Sequence, residues 1–321
     1  MNLAEFRSDP ASWARQTVAA FLAKSPANQL GGPLDEPAWE QALVGFAAGD
    51  DALWTRYKDV VGPFHYTPAE LFNLHYPERP AQPRDLTVIA YVLAQSEATK
   101  ADNRKEVFHP SERWVRARFA GEDCNAALRQ HLVERLAAQG VDALAPQLSP
   151  HWRKEKSERY WLASRWSERH AAHAAGLGTF GVCDGLITPV GKAVRVGSVI
   201  ARASIPATPR PYQHYREYCL YYRKGACLAC VRRCPVGALS RAGHDKPTCW
   251  DHAGGTCAQY SREHFNLDGY GCGLCQTKVP CESGIPGVAC RDGHIRVGSR
   301  AATGVHGSGE AWPSSGPRAL P

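Results

Sequence analysis

The chain has 321 residues, 44% of them hydrophobic, and carries a formal net charge of +7. That length buries a full core and suggests two domains, while no apolar run approaches the roughly 20 residues a membrane span needs. The charge permits a nucleic-acid or other anionic partner without requiring one, since a solvated basic face that compensates anionic groups serves equally well. The first ten residues lack a basic region followed by an apolar core, and there is no twin-arginine signal, so a cytoplasmic protein is expected.

Trp13, Val18, Phe21 and Leu22 recur on one helical face, and Trp39, Leu43 and Phe46 repeat that spacing in the next segment. Ser12 and Asp35 are the expected N-caps, with Gly31-Gly32-Pro33 between the two helices and a third helix over Asp51–Val61. After the proline-rich stretch Pro77–Pro83, the run Leu86–Leu93 is continuous, β-branched and aromatic, which predicts a strand buried on both faces. A helix follows from about Pro110 to Ala138, with Gly121 as a possible break and Gly140 as its C-cap, and then a short strand over Val141–Leu144. Residues 145–159 read as a basic loop, Leu162–Ala175 as a helix ended by Gly176-Leu-Gly178, and Gly185–Thr188 and Arg195–Ala201 as strands.

Alternating helices and strands predict an α/β (α+β) fold. The expected divisions are a helical region at 1–84, an α/β domain at 85–205, a cysteine-rich module at 206–292 and a disordered Gly/Ser/Pro-rich tail at 293–321.

Ten of the twelve cysteines fall between Cys219 and Cys290. The run Cys227-Leu-Ala-Cys230-Val-Arg-Arg-Cys234-Pro235 supplies two thiolates to one iron–sulfur cube from a tight turn and sends its last cysteine to another. Metal-ligand spacing argues against disulfides. A bacterial-type motif places one more cysteine three residues before Cys227, where Lys224 stands, and the nearest substitute is Cys219. Crossed ligation then assigns Cys219, Cys227, Cys230 and Cys281 to one 4Fe–4S cluster and Cys234, Cys257, Cys272 and Cys275 to the other. Cys249 competes with Cys257, and Cys290 is spare; if Cys219 is not a ligand, the first site holds three irons or borrows a ligand from elsewhere. Cys183 and Cys124 read as small core residues. His170 and His173, three apart on a helix, lack an evident third ligand and read as packing. Tyr212, Tyr215, Tyr218, Tyr221 and Tyr222 crowd the entry to the module as aromatic cover for a cluster.

A ferredoxin-type module behind Glu-Arg-His-Ala-Ala-His-Ala-Ala-Gly-Leu-Gly-Thr-Phe-Gly (168–181) and Gly197-Ser-Val-Ile200 resembles the epoxyqueuosine reductase and reductive dehalogenase family. The segment Arg118-Phe-Ala-Gly-Glu-Asp-Cys-Asn125 is similar to a further stretch of that family. The resemblance covers about residues 85–285 and implies a nitroreductase-like domain that holds cobalamin and receives electrons through the clusters. It also implies Asp123 as the proton donor, since reductive cleavage of a C–O or C–halogen bond needs a proton as well as electrons.

Gly176, Leu177, Gly178, Gly181, Gly197 and Ser198 are implied as close backbone contacts to the cofactor. A bare Gly-x-Gly-x-x-Gly that follows a helix does not indicate a dinucleotide site. The implied partners are a small-molecule or modified-nucleoside substrate and a flavodoxin- or ferredoxin-type electron donor. Binding to tRNA is not favoured, because the helical-repeat region of full-length epoxyqueuosine reductases is replaced here by a tail. The competing expectation is an electron carrier without cobalamin that serves a partner enzyme. Five residues between Cys275 and Cys281, where the family has three, mark a divergent short member.

Overall fold

The structure, a computed structural model, describes residues 3–287 and the backbone of 290–291 and 294–295. The expected tail at 293–321, apart from that last backbone pair, and the side chain of Cys290 lie outside the described residues.

Helices α1 (Leu3–Ser8) and α2 (Pro10–Lys24) precede strand β1 (Trp39–Ala48), helices α3 (Leu53–Val61) and α4 (Pro68–His75), and strand β2 (Thr87–Gln95). Helices α5 (Glu97–Lys105) and α6 (Glu112–Ala137) lead to the short strand β3 (Ala143–Leu144), the hairpin β4 (Lys154–Ser157)–β5 (Trp161–Ser164) and helix α7 (Glu168–Ala174). The hairpin β6 (Thr179–Phe180)–β7 (Leu186–Ile187) and strand β8 (Val194–Ala201) close this part.

The main sheet is antiparallel in the order β1-β2-β8-β3. All nine residues of β2 are buried, as its unbroken apolar run requires. Because side chains alternate along a strand, Val88, Ala90 and Val92 join Trp54, Tyr57, Phe72 and Trp166 on one face. Ile89, Tyr91 and Leu93 pack on the other with Trp13, Val18, Leu128 and Leu132. Helices α2 and α6 cover one side of the sheet, and α3, α4 and α7 the other.

Several expectations change. Trp39–Phe46 is strand, not helix. A register shift between Trp39 and Ala42 breaks the period of two and mimics helical spacing. Because β1 pairs with β2, one sheet runs across the expected division at 84/85. Helix α2 is capped by Asp9, whose carboxylate accepts from the Ser12 amide at 2.9 Å, so Ser12 lies inside the helix. No helix follows Asp35 until α3. Helix α6 runs through Gly121 unbroken, and a methyl there would sit 2.6 Å from the Trp39 ring, so this glycine admits the indole. The helix expected from Leu162 begins only at Glu168. Trp166 is drawn into the core, where its indole N–H donates to Ser198 Oγ at 2.9 Å.

The cysteine-rich part is built from short pieces: α8 (Leu220–Lys224), α9 (Ala229–Arg232), the hairpin β9 (Leu239–Ser240)–β10 (Gly243–His244), α10 (Lys246–Trp250), a π-helical turn (Asp251–Thr256) and α11 (Cys257–Phe265). No described helix is long and apolar enough to cross a membrane.

Candidate functional site: two thiol groups beside an aromatic cavity

Cys219 is the N-cap of α8, and Gly225, with φ of +66°, ends that helix. Cys227 and Leu228 then take positive φ values of 115° and 56°, unusual for residues with side chains. This bend folds Cys227 and Cys230 back toward Cys219. All four cysteines assigned to the first cluster, Cys219, Cys227, Cys230 and Cys281, line one small cavity together with Lys192. Tyr221 and Tyr222 pack against these thiols, and Tyr212 and Tyr218 against Cys219 and Cys281.

The second group is less regular. Ligand atoms of His252, Cys257 and Cys272 lie within 4.8 Å of one another, with Cys257 Sγ 3.4 Å from His252 Nε2. The wide π turn brings His252 and Cys257, five apart, to the same side. Burial pushes the Cys249 thiol up to about 11, with Cys272 and Cys234 adding to the effect, so Cys249 belongs to this neighbourhood as well. Cys275 contacts Cys183, which also contacts Cys230, so Cys183 stands between the two groups. Hydrogen bonds from Cys230 and Cys275 hold the Cys183 thiol well below its usual range.

A partly open cavity of about 750 Å³ adjoins the second group, and Cys249 is part of its wall. Trp152, Tyr160, Trp161, Trp166, Tyr215 and Trp250 line it, and two of them, Tyr160 and Trp161, belong to the β4–β5 hairpin, where the sequence predicts loop and helix. Such a size lies within the roughly 300–1,000 Å³ usual for small-molecule and cofactor sites.

Charged residues also reach this cavity. Glu122 bridges Arg129 Nη1 and Arg195 Nε, each at 2.8 Å. Arg129 Nε lies 3.5 Å from Glu168 Oε1, and Ser198 Oγ donates to Glu168 Oε2 at 2.5 Å. Burial pushes the Glu168 carboxyl up to about 7, against the pull of Arg129 and Ser198. Glu122 sits below its usual range, because Arg195 and Arg129 outweigh its burial.

The implied cofactor contacts are distributed differently from expectation. Asp123 is exposed and does not line the cavity, whereas its neighbour Glu122 does, one step round the helix. Of the expected glycines only Gly181 reaches the cavity. A methyl at Gly176 would meet Pro209 O at 2.9 Å, and one at Gly178 would meet Ile187 O at 2.4 Å. At Gly197 it would meet Tyr91 Oη at 2.4 Å, so these three glycines serve packing. Leu177 lies in the core, and Ser198 acts through Glu168. His173 Nδ1 is 2.8 Å from Tyr57 Oη and His170 Nδ1 is 2.8 Å from Ser167 Oγ, in keeping with packing roles. Nothing in the sequence singled out Glu168, Lys192 or His252. For His252 the available signal was its five-residue spacing to Cys257 across Gly254-Gly255.

Fold and site together define a class: an antiparallel sheet domain with an aromatic cavity, joined to a module that gathers thiols into two groups. No protein-family model and no curated protein sequence matches the chain. Solved structures similar to it are epoxyqueuosine reductases and reductive dehalogenases. A selenomethionine-labelled epoxyqueuosine reductase is 18% identical with a TM-score of 0.45, covering 89% of this chain and 68% of that one. The epoxyqueuosine reductase from Bacillus subtilis is 16% identical with a TM-score of 0.42, covering 89% and 67%. A reductive dehalogenase, whose structure is described as suggesting a mechanism for B12-dependent dehalogenation, is 15% identical with a TM-score of 0.39. That match covers 66% of this chain and 27% of the dehalogenase. At such distances the functional reading rests on this chain's own residues.

Proposed function

We propose that the protein is a cytosolic iron–sulfur oxidoreductase, cobalamin-dependent, that cleaves a C–O or C–halogen bond reductively. The observation that carries this reading is the convergence of Cys219, Cys227, Cys230 and Cys281 on one cavity, with a second thiol group that ends at the wall of a larger one. The thiols fit two 4Fe–4S clusters, because soft sulfur donors in sets of four are the usual ligands of such clusters. In the second set, Cys234, Cys272 and Cys275 are joined by Cys249 or Cys257. Clusters bound there would supply one-electron transfer from a flavodoxin- or ferredoxin-type donor. The aromatic walls of the larger cavity suit a big planar group such as cobalamin, held by the tryptophans and tyrosines rather than by the glycines.

Overall, reductive cleavage adds two electrons and one proton at carbon, and the oxygen or halide leaves with the bonding pair. Glu168 is the proton source this geometry offers, in place of Asp123. Glu168 lines the cavity, and burial raises its carboxyl to about 7, so that a share of it carries a proton near neutral pH. Arg129 would stabilise the carboxylate left behind, and Ser198 fixes its orientation. Trp152, Trp161, Trp166 and Trp250 on the cavity wall would limit the water around the reacting carbon. A small molecule or a modified nucleoside is the substrate class that the cavity admits.

The test is anaerobic reconstitution of the full chain with iron, sulfide and cobalamin, followed by desalting. Cobalt retained at about one per chain, with a cobalamin absorption spectrum, is the expected result. Iron without cobalt, and no turnover of a small substrate, would instead describe an electron carrier.

A further inference from the structure

Lys192 is a buried charge set among thiols. It is 2% exposed, and among the described residues no carboxylate pairs with it. Its surroundings are thiols: Cys183, Cys281, Cys275 and Cys230 all act on its ammonium, and Cys281 shares a hydrogen bond with it. It lines the same small cavity as Cys219, Cys227, Cys230 and Cys281.

Local structure builds this placement. The tight turn Thr188–Gly191 is closed by backbone hydrogen bonds of 3.0 and 2.9 Å. Gly191, at φ of +90°, passes so close to Glu282 that any side chain would collide with its carbonyl. The Lys192 amide then donates to the carbonyls of Cys281 and Glu282 at 2.9 and 3.0 Å, which ties the start of β8 to the last cysteine of the first set. The lysine stem passes over Gly185, where a methyl would stand 2.9 Å from Cδ and 3.2 Å from Cys183 Sγ. The sheet domain thus delivers one ammonium into the cysteine module.

An isolated buried ammonium is costly unless an anion compensates it. Four thiolates around a cube give that anion, and the charge acts back on the cluster. We propose that Lys192 is a positioning residue that sets the reduction potential of the cluster held by Cys219, Cys227, Cys230 and Cys281, raising it by stabilising the more negative, reduced state. Net charge and hydrogen bonds to sulfur are among the main determinants of cluster potential. The proposal rests on the iron–sulfur reading above, and places the first cluster higher in potential than its ligands alone would.

The test uses the full chain reconstituted anaerobically with iron and sulfide and titrated with dithionite, with each cluster followed by electron paramagnetic resonance. Lys192→Met should shift both midpoint potentials to more negative values but unequally, the cluster with Cys230 and Cys281 by clearly more than the one with Cys275, and Lys192→Arg should restore most of the shift. Unchanged potentials at full iron content overturn the proposal while the cluster reading stands. If Lys192→Met loses part of its iron, recovery of both loading and potential in Lys192→Arg supports the role of charge, and failure to recover them marks a packing role and overturns it. A wild-type chain that takes up no iron overturns the cluster reading itself, and this inference with it.

Discussion

The sheet domain and the cysteine module differ in what holds them together. The sheet domain buries a nine-residue central strand between two apolar layers, and its buried ions answer one another through Glu122, Arg129, Arg195 and Glu168. The module has helices of four to nine residues, and a core of Val182, Cys183, Cys230, Leu239 and Val279. Helices that short do not persist alone in water. Cys227, Leu228, Asn266 and Lys278 also hold left-handed backbone there. One region stands on burial. The other needs cross-links, which bound clusters would provide, because metal affinity then becomes folding free energy.

The largest expected effect breaks this contrast open. Stripping iron with a chelator should expose residues 206–287 to protease and leave the sheet domain intact, as read by mass spectrometry of the fragments. Equal resistance of the module with and without iron would refute the contrast.

Next in size, Glu168→Gln should lower turnover by about a hundred- to ten-thousand-fold, the usual worth of a general acid. Leu128→Ala, in the α6 layer, should cost about 2–5 kcal/mol of sheet-domain stability whatever the iron content, measured by denaturant unfolding.

A subtler effect follows from Glu168, whose carboxyl is raised from 4.5 to about 7 in the fold. Between those values the folded state binds a proton that the unfolded state has lost, so this contribution is complete below pH 4.5 and declines as pH rises through 7. Glu168→Gln should remove that slope from the pH dependence of unfolding. Smallest of all, Asp123→Asn on the exposed side of α6 should change turnover less than about twofold; a loss on the scale expected for a general acid would return the proton-donor role to Asp123.

Much of the fold was legible where one force dominated. The apolar run at Leu86–Leu93 suited a strand covered on both sides, and the close cysteine spacings pointed to the thiols that the structure gathers into two groups. Legibility failed where long-range contact decided. Trp39 lies out of phase with β1 because a register shift sends it to the α6 face, where Gly121 receives it. The β4–β5 hairpin carries little alternation, since one side of it faces a cavity rather than a core. Glu168 looked like an ordinary first-turn acid of a helix, and only the packing of Trp166 and Ser198 around it makes it special. Glycines 176, 178 and 197 were read as a cofactor cradle, but their nearest neighbours are protein atoms.

The central claim is that the two thiol groups bind iron–sulfur clusters. Mössbauer spectroscopy of the full chain, reconstituted anaerobically with iron-57 and sulfide, tests it most directly. The account predicts about eight irons per chain in 4Fe–4S environments. A chain that binds no iron, or binds zinc at the His252, Cys257 and Cys272 set and remains without sulfide, would contradict it.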